Sequence, residues 1–205
     1  LRLKDGAEIR LTTSRYYTPS GRNIQKPYNA GKEEYYKDLE RRYEHGEFVN
    51  SDSIVFPDSL KYKTLVEGRT VYGGGGIMPD IFIPMDTTGY TAYYNKVWNT
   101  NVLYRFTLDF TDRHREEVDS IKSLEELDTF LSGHDLVREF TAFAERNGVA
   151  TNHRELAVSR ATILAQLRAY IGRNTPVGDA GFYYNIYPVD NVLQRAVSEI
   201  KSRKK

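Results

Sequence analysis

The side chains that could do chemistry in this 205-residue chain are few in kind, and their spacing defeats the common catalytic arrangements. Zero cysteines remove thiolate catalysis, disulfides and Cys-ligated zinc or iron–sulfur centres. His45, His114, His134 and His153 include no pair three or four residues apart and no HExxH, so each reads as a surface or core-edge ring. An SxxK runs from Ser202 to Lys205, but a Ser/Lys dyad needs a desolvated amine, because an ammonium cannot take the serine proton. A basic tail that frays into solvent does not provide one. A GxSxG elbow is missing. The run Gly73 to Gly76 lacks the Gly-Lys-Ser/Thr of a phosphate loop and reads as a hinge or a close backbone approach. Asp109, Asp112, Glu116, Glu117 and Asp119 lack the spacing of a calcium loop and, with Arg113 and Arg115 among them, read as a solvated face. The expectation is therefore a chain with no catalytic residue, metal site or cofactor of its own.

Composition narrows the partners. Lys plus Arg is 29 against 28 for Asp plus Glu, a net charge of +1, which argues against nucleic acid as a partner. A mean hydropathy of −0.60 and no long apolar run argue against a transmembrane segment. With 40% hydrophobic residues the chain can build a core. Sixteen tyrosines against nine phenylalanines and one tryptophan supply flat rings with a polar tip, suited to core edges, wet interfaces and carbohydrate sites. No leader opens the sequence and no methionine precedes Leu1, so it reads as a fragment or processed product.

The elements that would position any site follow from hydropathy. Ile9, Leu11 and Thr13 alternate with Glu8, Arg10, Thr12 and Ser14, predicting a half-buried strand, with Asp5-Gly6 as a hairpin turn after Leu1 to Lys4. Thr18-Pro19-Ser20-Gly21 predicts a type I turn. Residues 26–72 read as an insertion with a helix from Lys32 to Tyr43. Thr70-Val71-Tyr72 and Ile81-Phe82-Ile83 read as short strands. After Asp86 the pattern becomes helical: one long helix from Tyr90 to about Arg115, then helices opened by Ser123 with Glu126, carried by Leu136, Phe140 and Phe143, opened by Asn152 with Glu155 and ended by Gly172, and a last one from Val189 to Ile200. The expected fold class is α+β, predominantly helical. A small β-containing part, residues 1–88 with the insertion at about 26–72, precedes an all-helical bundle over residues 89–205.

Two motifs are more specific than composition. Leu11-Thr12-Thr13-Ser14-Arg15-Tyr16-Tyr17-Thr18-Pro19-Ser20-Gly21-Arg22-Asn23-Ile24-Gln25 closely resembles the segment after the catalytic lysine in carboxyl-terminal processing peptidases, the tail-specific serine proteases. Gly76-Ile77-Met78-Pro79-Asp80 resembles that family's second signature, Gly-Ile-x-Pro-Asp. The insertion from Lys26 to Tyr72 that separates them, and more loosely the helical tail after residue 88, resemble the branch found in Bacteroidetes-type bacteria.

The resemblance implies a parent serine endopeptidase of the periplasm or cell envelope that cuts proteins near their C termini. In that family a serine nucleophile and a lysine general base do the work, and both would lie upstream of Leu1 together with a peptide-binding PDZ domain. No catalytic residue maps onto this chain, so the fragment is expected to be inactive and supporting. Its partners would be the upstream protease half, protein or peptide substrates and a second copy in a homo-oligomer. Residues 8–25 and 76–83 would brace the dyad, through Tyr16, Pro19, Gly21, Gln25, Gly76, Pro79 and Asp80, although turn residues of this kind also serve folding alone. The β part, short of neighbouring strands, would self-pair, swap or lose order locally. Two other readings stand beside this one: a helical interaction or oligomerisation module, and a tyrosine-lined glycan or peptide binder using Trp98 or Tyr94.

Overall fold

The structure, a computed structural model, describes residues 2–203, with only the backbone of Arg203; Leu1 and Lys205, the ends of two sequence expectations, lie outside it. The fold is α+β and predominantly helical, with nine α-helices and one two-stranded sheet among the described residues. The chain divides into two compact units, Leu1–Met85 and Asp86–Lys205.

In the first unit the expected strand at residues 8–16 is not formed. Among the described residues the segment forms an isolated bridge between Arg2 and Glu8 and joins no sheet, and Leu11 and Tyr16 are 76% and 80% exposed. The alternation of residue types is present, but a strand also requires a neighbour to take its backbone hydrogen bonds. Ile81-Phe82-Ile83 likewise joins no sheet, though all three are half-buried. The turn at residues 18–21 is present: the Gly21 amide donates to the Thr18 carbonyl at 2.8 Å and the Thr18 amide to the Arg22 carbonyl at 3.0 Å.

Within residues 26–72, α1 (Lys32–Glu44) forms where the spacing predicts, yet buries none of its residues; Tyr36, Leu39 and Tyr43 remain exposed. The short hairpin β1 (Lys61–Lys63) and β2 (Thr70–Tyr72) is antiparallel, pairing Lys61 with Tyr72 and Lys63 with Thr70. Among the described residues buried hydrophobic side chains begin at Tyr93, so the described part of the first unit has no fully buried apolar core.

The second unit is a helical bundle. The single helix expected from Tyr90 to Arg115 is instead two, α2 (Ala92–Asn99) and α3 (Val102–Arg113). The break falls at Asn101, whose φ of 56° is left-handed, a conformation asparagine tolerates better than most residues. α4 (Arg115–Ser120), α5 (Leu124–Ser132) and α6 (Leu136–Arg146) follow, then the central α7 (His153–Arg173). α8 (Gly178–Ile186), which the hydropathy pattern does not predict, precedes a single 3-10 turn at residues 187–189 and α9 (Asn191–Arg203). Phe106, Phe110 and Phe140 are fully buried, joined by Leu103, Leu127, Ile163, Leu167 and Ile171. α7 packs against α2, α3, α6 and α8 and buries residues around much of its circumference.

Both predicted caps form, with a difference in what their glutamates do. Ser123 accepts from the Glu126 amide at 3.2 Å, and the Glu126 carboxylate accepts from the Lys122 amide at 2.7 Å. Asn152 accepts from the Glu155 amide at 3.2 Å, but the Glu155 carboxylate reaches across to the Tyr93 amide. It thereby satisfies an orphan donor in the first turn of α2, and Thr91 Oγ1 meets Ser159 Oγ at 2.8 Å beside it. One acidic residue thus locks α2 onto α7.

That junction carries a pH prediction. Burial pushes the Tyr93 and Tyr94 phenols above their ordinary value of 10.0. Below that value both are neutral in folded and unfolded chains alike, and their contribution to stability is complete. As pH rises past it the unfolded chain ionises first, so stability falls until the folded phenols ionise as well. Melting followed by circular dichroism should drop steeply from about pH 10 upward, and Tyr93→Phe with Tyr94→Phe should flatten the drop. A double variant as alkali-sensitive as the parent would assign the loss to other groups.

Candidate functional site

The two sequence motifs meet in the first unit. Their contact is built from backbone: the Gly76 amide donates to the Ile24 carbonyl at 2.7 Å, and the amide of Gly74, two residues before the second motif, donates to the Asn23 carbonyl at 3.1 Å. Beside them the Arg22 guanidinium donates through Nη1 to the Tyr72 carbonyl at 3.1 Å. Residues 26–72 therefore leave and return at one place, and the chain closes on itself where the two signatures touch.

Glycine makes that closure possible. A Cβ on Gly73 would stand 3.0 Å from Tyr62 Cε2 and 3.4 Å from the Asn23 carbonyl oxygen, and one on Gly74 would lie 2.7 Å from Leu60 Cδ1. Gly74 and Gly76 have φ of 90° and 99°, which L side chains rarely adopt. The glycine run thus acts by close backbone approach.

The predicted bracing residues divide into two groups. Gly21 sits at a φ of 82° in the turn that leads into the contact, with Pro19 at its exposed apex. Gln25 donates to the Lys26 carbonyl at 3.2 Å and to Tyr35 Oη at 3.3 Å, fastening the start of α1, and Gly76 is in the contact itself. Tyr16, Pro79 and Asp80 are exposed, and Asp80 pairs with Arg69 at 3.4 Å. Sequence reasoning passed over Arg22 and Asn23, the residues between Gly21 and Ile24. Asn23 Oδ1 accepts from the Gln25 amide at 2.6 Å. Arg22 Nε and Asn23 Nδ2 are buried without a hydrogen-bond partner among the described residues. Their position inside the motif was the available signal; a buried donor left unpaired is visible only in three dimensions.

A cavity of about 550 Å³ opens beside the contact, lined by Arg15, Asn23, Gln25, Lys26, Tyr28 and Tyr62 among others. Its lysine is engaged: Lys26 Nζ lies 3.0 Å from Asp38, donates to the Tyr35 carbonyl at 2.8 Å and sits over the Tyr35 ring. It fastens α1 to the motif. The cavity can hold polar or aromatic groups against two cations and two phenols, and no nucleophile–base pair lines it.

In the second unit the acidic face expected at the end of α3 is solvated and paired, Arg113 with Asp109 at 2.9 Å and Arg115 with Asp119 at 3.8 Å. His114 and His134, twenty residues apart in sequence, meet with ring centroids 4.7 Å apart against Phe110 and Phe130. His114 Nδ1 lies 2.7 Å from Glu117 Oε2. Among the described residues no group of three or more His, Cys, Asp or Glu is arranged to hold a metal ion, and no helix is long and apolar enough to cross a membrane. Tyr94 is 5% exposed and its hydroxyl pairs with Gln166 Nε2 at 2.6 Å, so its ring belongs to the core while Trp98 is half-exposed.

The second unit thus defines a helical bundle, and the comparisons with known proteins fall on it alone. Residues 93–175 match the model of a family of unknown function, DUF8443. No curated protein and no solved structure matches the chain.

Proposed function

We propose that this chain is the carboxyl-terminal portion of a serine endopeptidase of the carboxyl-terminal processing kind, and that its first unit braces a Ser/Lys dyad supplied by another part of the same enzyme. One observation carries the reading: the first family-like motif is hydrogen-bonded backbone to backbone to the first residue of the second, Gly76 to Ile24 at 2.7 Å, and to Gly74 just before it, across the intervening residues 26–72. Random similarity of two short stretches gives no reason for them to touch.

The exposed apolar side chains of the first unit support it as well. Ile9, Leu11, Val55 and Ile77 face water in a unit whose described part has no fully buried core, as parts of a sheet do when its other strands come from elsewhere. The parent enzyme would cleave envelope proteins near their C termini, with a PDZ domain presenting the substrate. A second, compatible reading gives the helical unit a role as an interaction or oligomerisation module, since its hydrophobic core is built within the unit.

A fluorophosphonate probe tests the assignment. The chain alone should remain unlabelled. The polypeptide extended upstream along its own reading frame should label at a serine, and replacing that serine, or a lysine upstream of Leu1, should abolish the signal. Labelling of the chain alone, or an extension with no reactive serine, would sink the proposal.

A further inference from the structure

α9 is an amphipathic helix whose apolar side the bundle leaves largely uncovered. Val192, Leu193, Ala196, Val197 and Ile200 fall within about 140° of its circumference at 3.6 residues per turn. Leu193 and Val197 are half-buried and line a groove of about 700 Å³ with Tyr183, Tyr184 and Tyr187. Val192 and Ile200 are 56% and 59% exposed. The helix is nonetheless held in place: the Leu193 amide donates to Asp190 Oδ1 at 2.8 Å and Gln194 Nε2 to the Tyr187 carbonyl at 2.8 Å.

Charge distinguishes among possible occupants of this side. Residues 191–205 carry Arg195, Lys201, Arg203, Lys204 and Lys205 against the single acid Glu199, in a chain whose cations and acids otherwise nearly balance. Glu199 already pairs with Arg195 at 2.7 Å. A second copy docking through the same helix would set this positive excess against itself. Nucleic acid would use the cations and leave the apolar arc in water. An anionic lipid surface uses both: aliphatic side chains enter the headgroup–acyl boundary, cations meet the lipid phosphates, and tyrosines place an apolar ring and a polar tip at the same depth.

We infer that α9, with Tyr183, Tyr184 and Tyr187 beside it, is a membrane-surface anchor that lies in the interface of an anionic leaflet. It rests on, and does not cross, the membrane. The inference is independent of the proposed peptidase function, and its readout involves no proteolysis.

Co-sedimentation of the full chain with phosphatidylcholine vesicles, with and without phosphatidylglycerol, tests it. Binding should require phosphatidylglycerol and weaken strongly between about 0.05 M and about 0.5 M salt. Lys201→Gln should reduce partitioning about fivefold, the effect of one cation near such a surface. Ile200→Gln should reduce it about tenfold by removing an exposed aliphatic side chain, with the bundle's circular dichroism unchanged. Equal binding to neutral vesicles overturns the electrostatic part of the claim. Binding unaffected by both substitutions assigns it to another surface, such as the exposed apolar residues of the first unit. A concentration-dependent dimer that Ile200→Gln dissolves, with no vesicle binding, makes the face a contact between copies.

Discussion

Under the proposed peptidase function, Gly21→Val, introduced into a longer polypeptide that supplies the serine and lysine, should lower kcat by about a hundredfold, a loss that a displacement of about 1 Å at the catalytic groups is enough to cause. Gly21 has a φ of 82°, where a β-branched residue is strained, and the turn it closes sets the course of Arg22, Asn23 and Ile24 into the contact with Gly74 and Gly76. No atom lies within 4 Å of a Cβ built there, so the substitution acts through backbone preference and not through collision. Gly6 supplies the control: its φ is 87°, its surroundings are equally open, and it lies outside both motifs. Gly6→Val should carry a similar strain of about 1–2 kcal/mol and lower the melting temperature comparably, with kcat little changed. Equal activity per folded molecule in the Gly21 variant would show that the turn serves folding alone. So would an equal loss of turnover in both variants.

Gly181→Ala should destabilise the helical unit by about 1–3 kcal/mol. Alanine for glycine within a helix ordinarily stabilises by up to about 1 kcal/mol, so the sign itself is diagnostic. Here a Cβ on Gly181 would stand 2.9 Å from the Gly172 carbonyl oxygen, 2.9 Å from Val177 Cγ2 and 3.0 Å from Leu127 Cδ2. One on Gly172 would meet the Gly181 carbonyl at 3.0 Å. α7 and α8 approach backbone to backbone at this point, and a carbonyl cannot swing aside as a side chain can. Urea unfolding followed by circular dichroism should show a lower midpoint with an unchanged slope. Leu127→Ala in the Gly181→Ala background should recover little, because the Gly172 oxygen remains in the way. A Gly181→Ala variant as stable as the parent would mean that the helices can part at small cost.

These two glycines illustrate where sequence reading stops. Gly172 reads as a helix terminator, whereas α7 runs on to Arg173 and uses this glycine to admit α8. α8 carries two glycines and an aromatic run, a poor helical signature, and forms because packing against α7 outweighs weak intrinsic propensity. α1 is the opposite case: its spacing alone suffices to predict it, although Tyr36, Leu39 and Tyr43 on its apolar side stay exposed. The α2–α3 break was missed because hydropathy runs through it unbroken, and only the backbone of Asn101 turns aside.

In the candidate site, the turn at Thr18–Gly21 and the conformational use of Gly73 to Gly76 were legible, since turn glycines and prolines act within a few residues of themselves. That Asn23 and Ile24 should meet Gly74 and Gly76 was not, nor were the unpaired donors of Arg22 and Asn23, because each depends on a chain closure spanning about fifty residues.

By itself, then, the sequence determined the local and periodic features: the predominantly helical class, the caps at Ser123 and Asn152, the turn at Thr18–Gly21 and the amphipathic last helix. Tertiary structure alone decided which of the alternating segments became strands, where α7 and α8 could touch, and that Glu155 would cap α2. The physical reason is that helices and turns satisfy their backbone within a few residues, whereas strands, close helix crossings and long-range caps need partners whose positions no local pattern encodes.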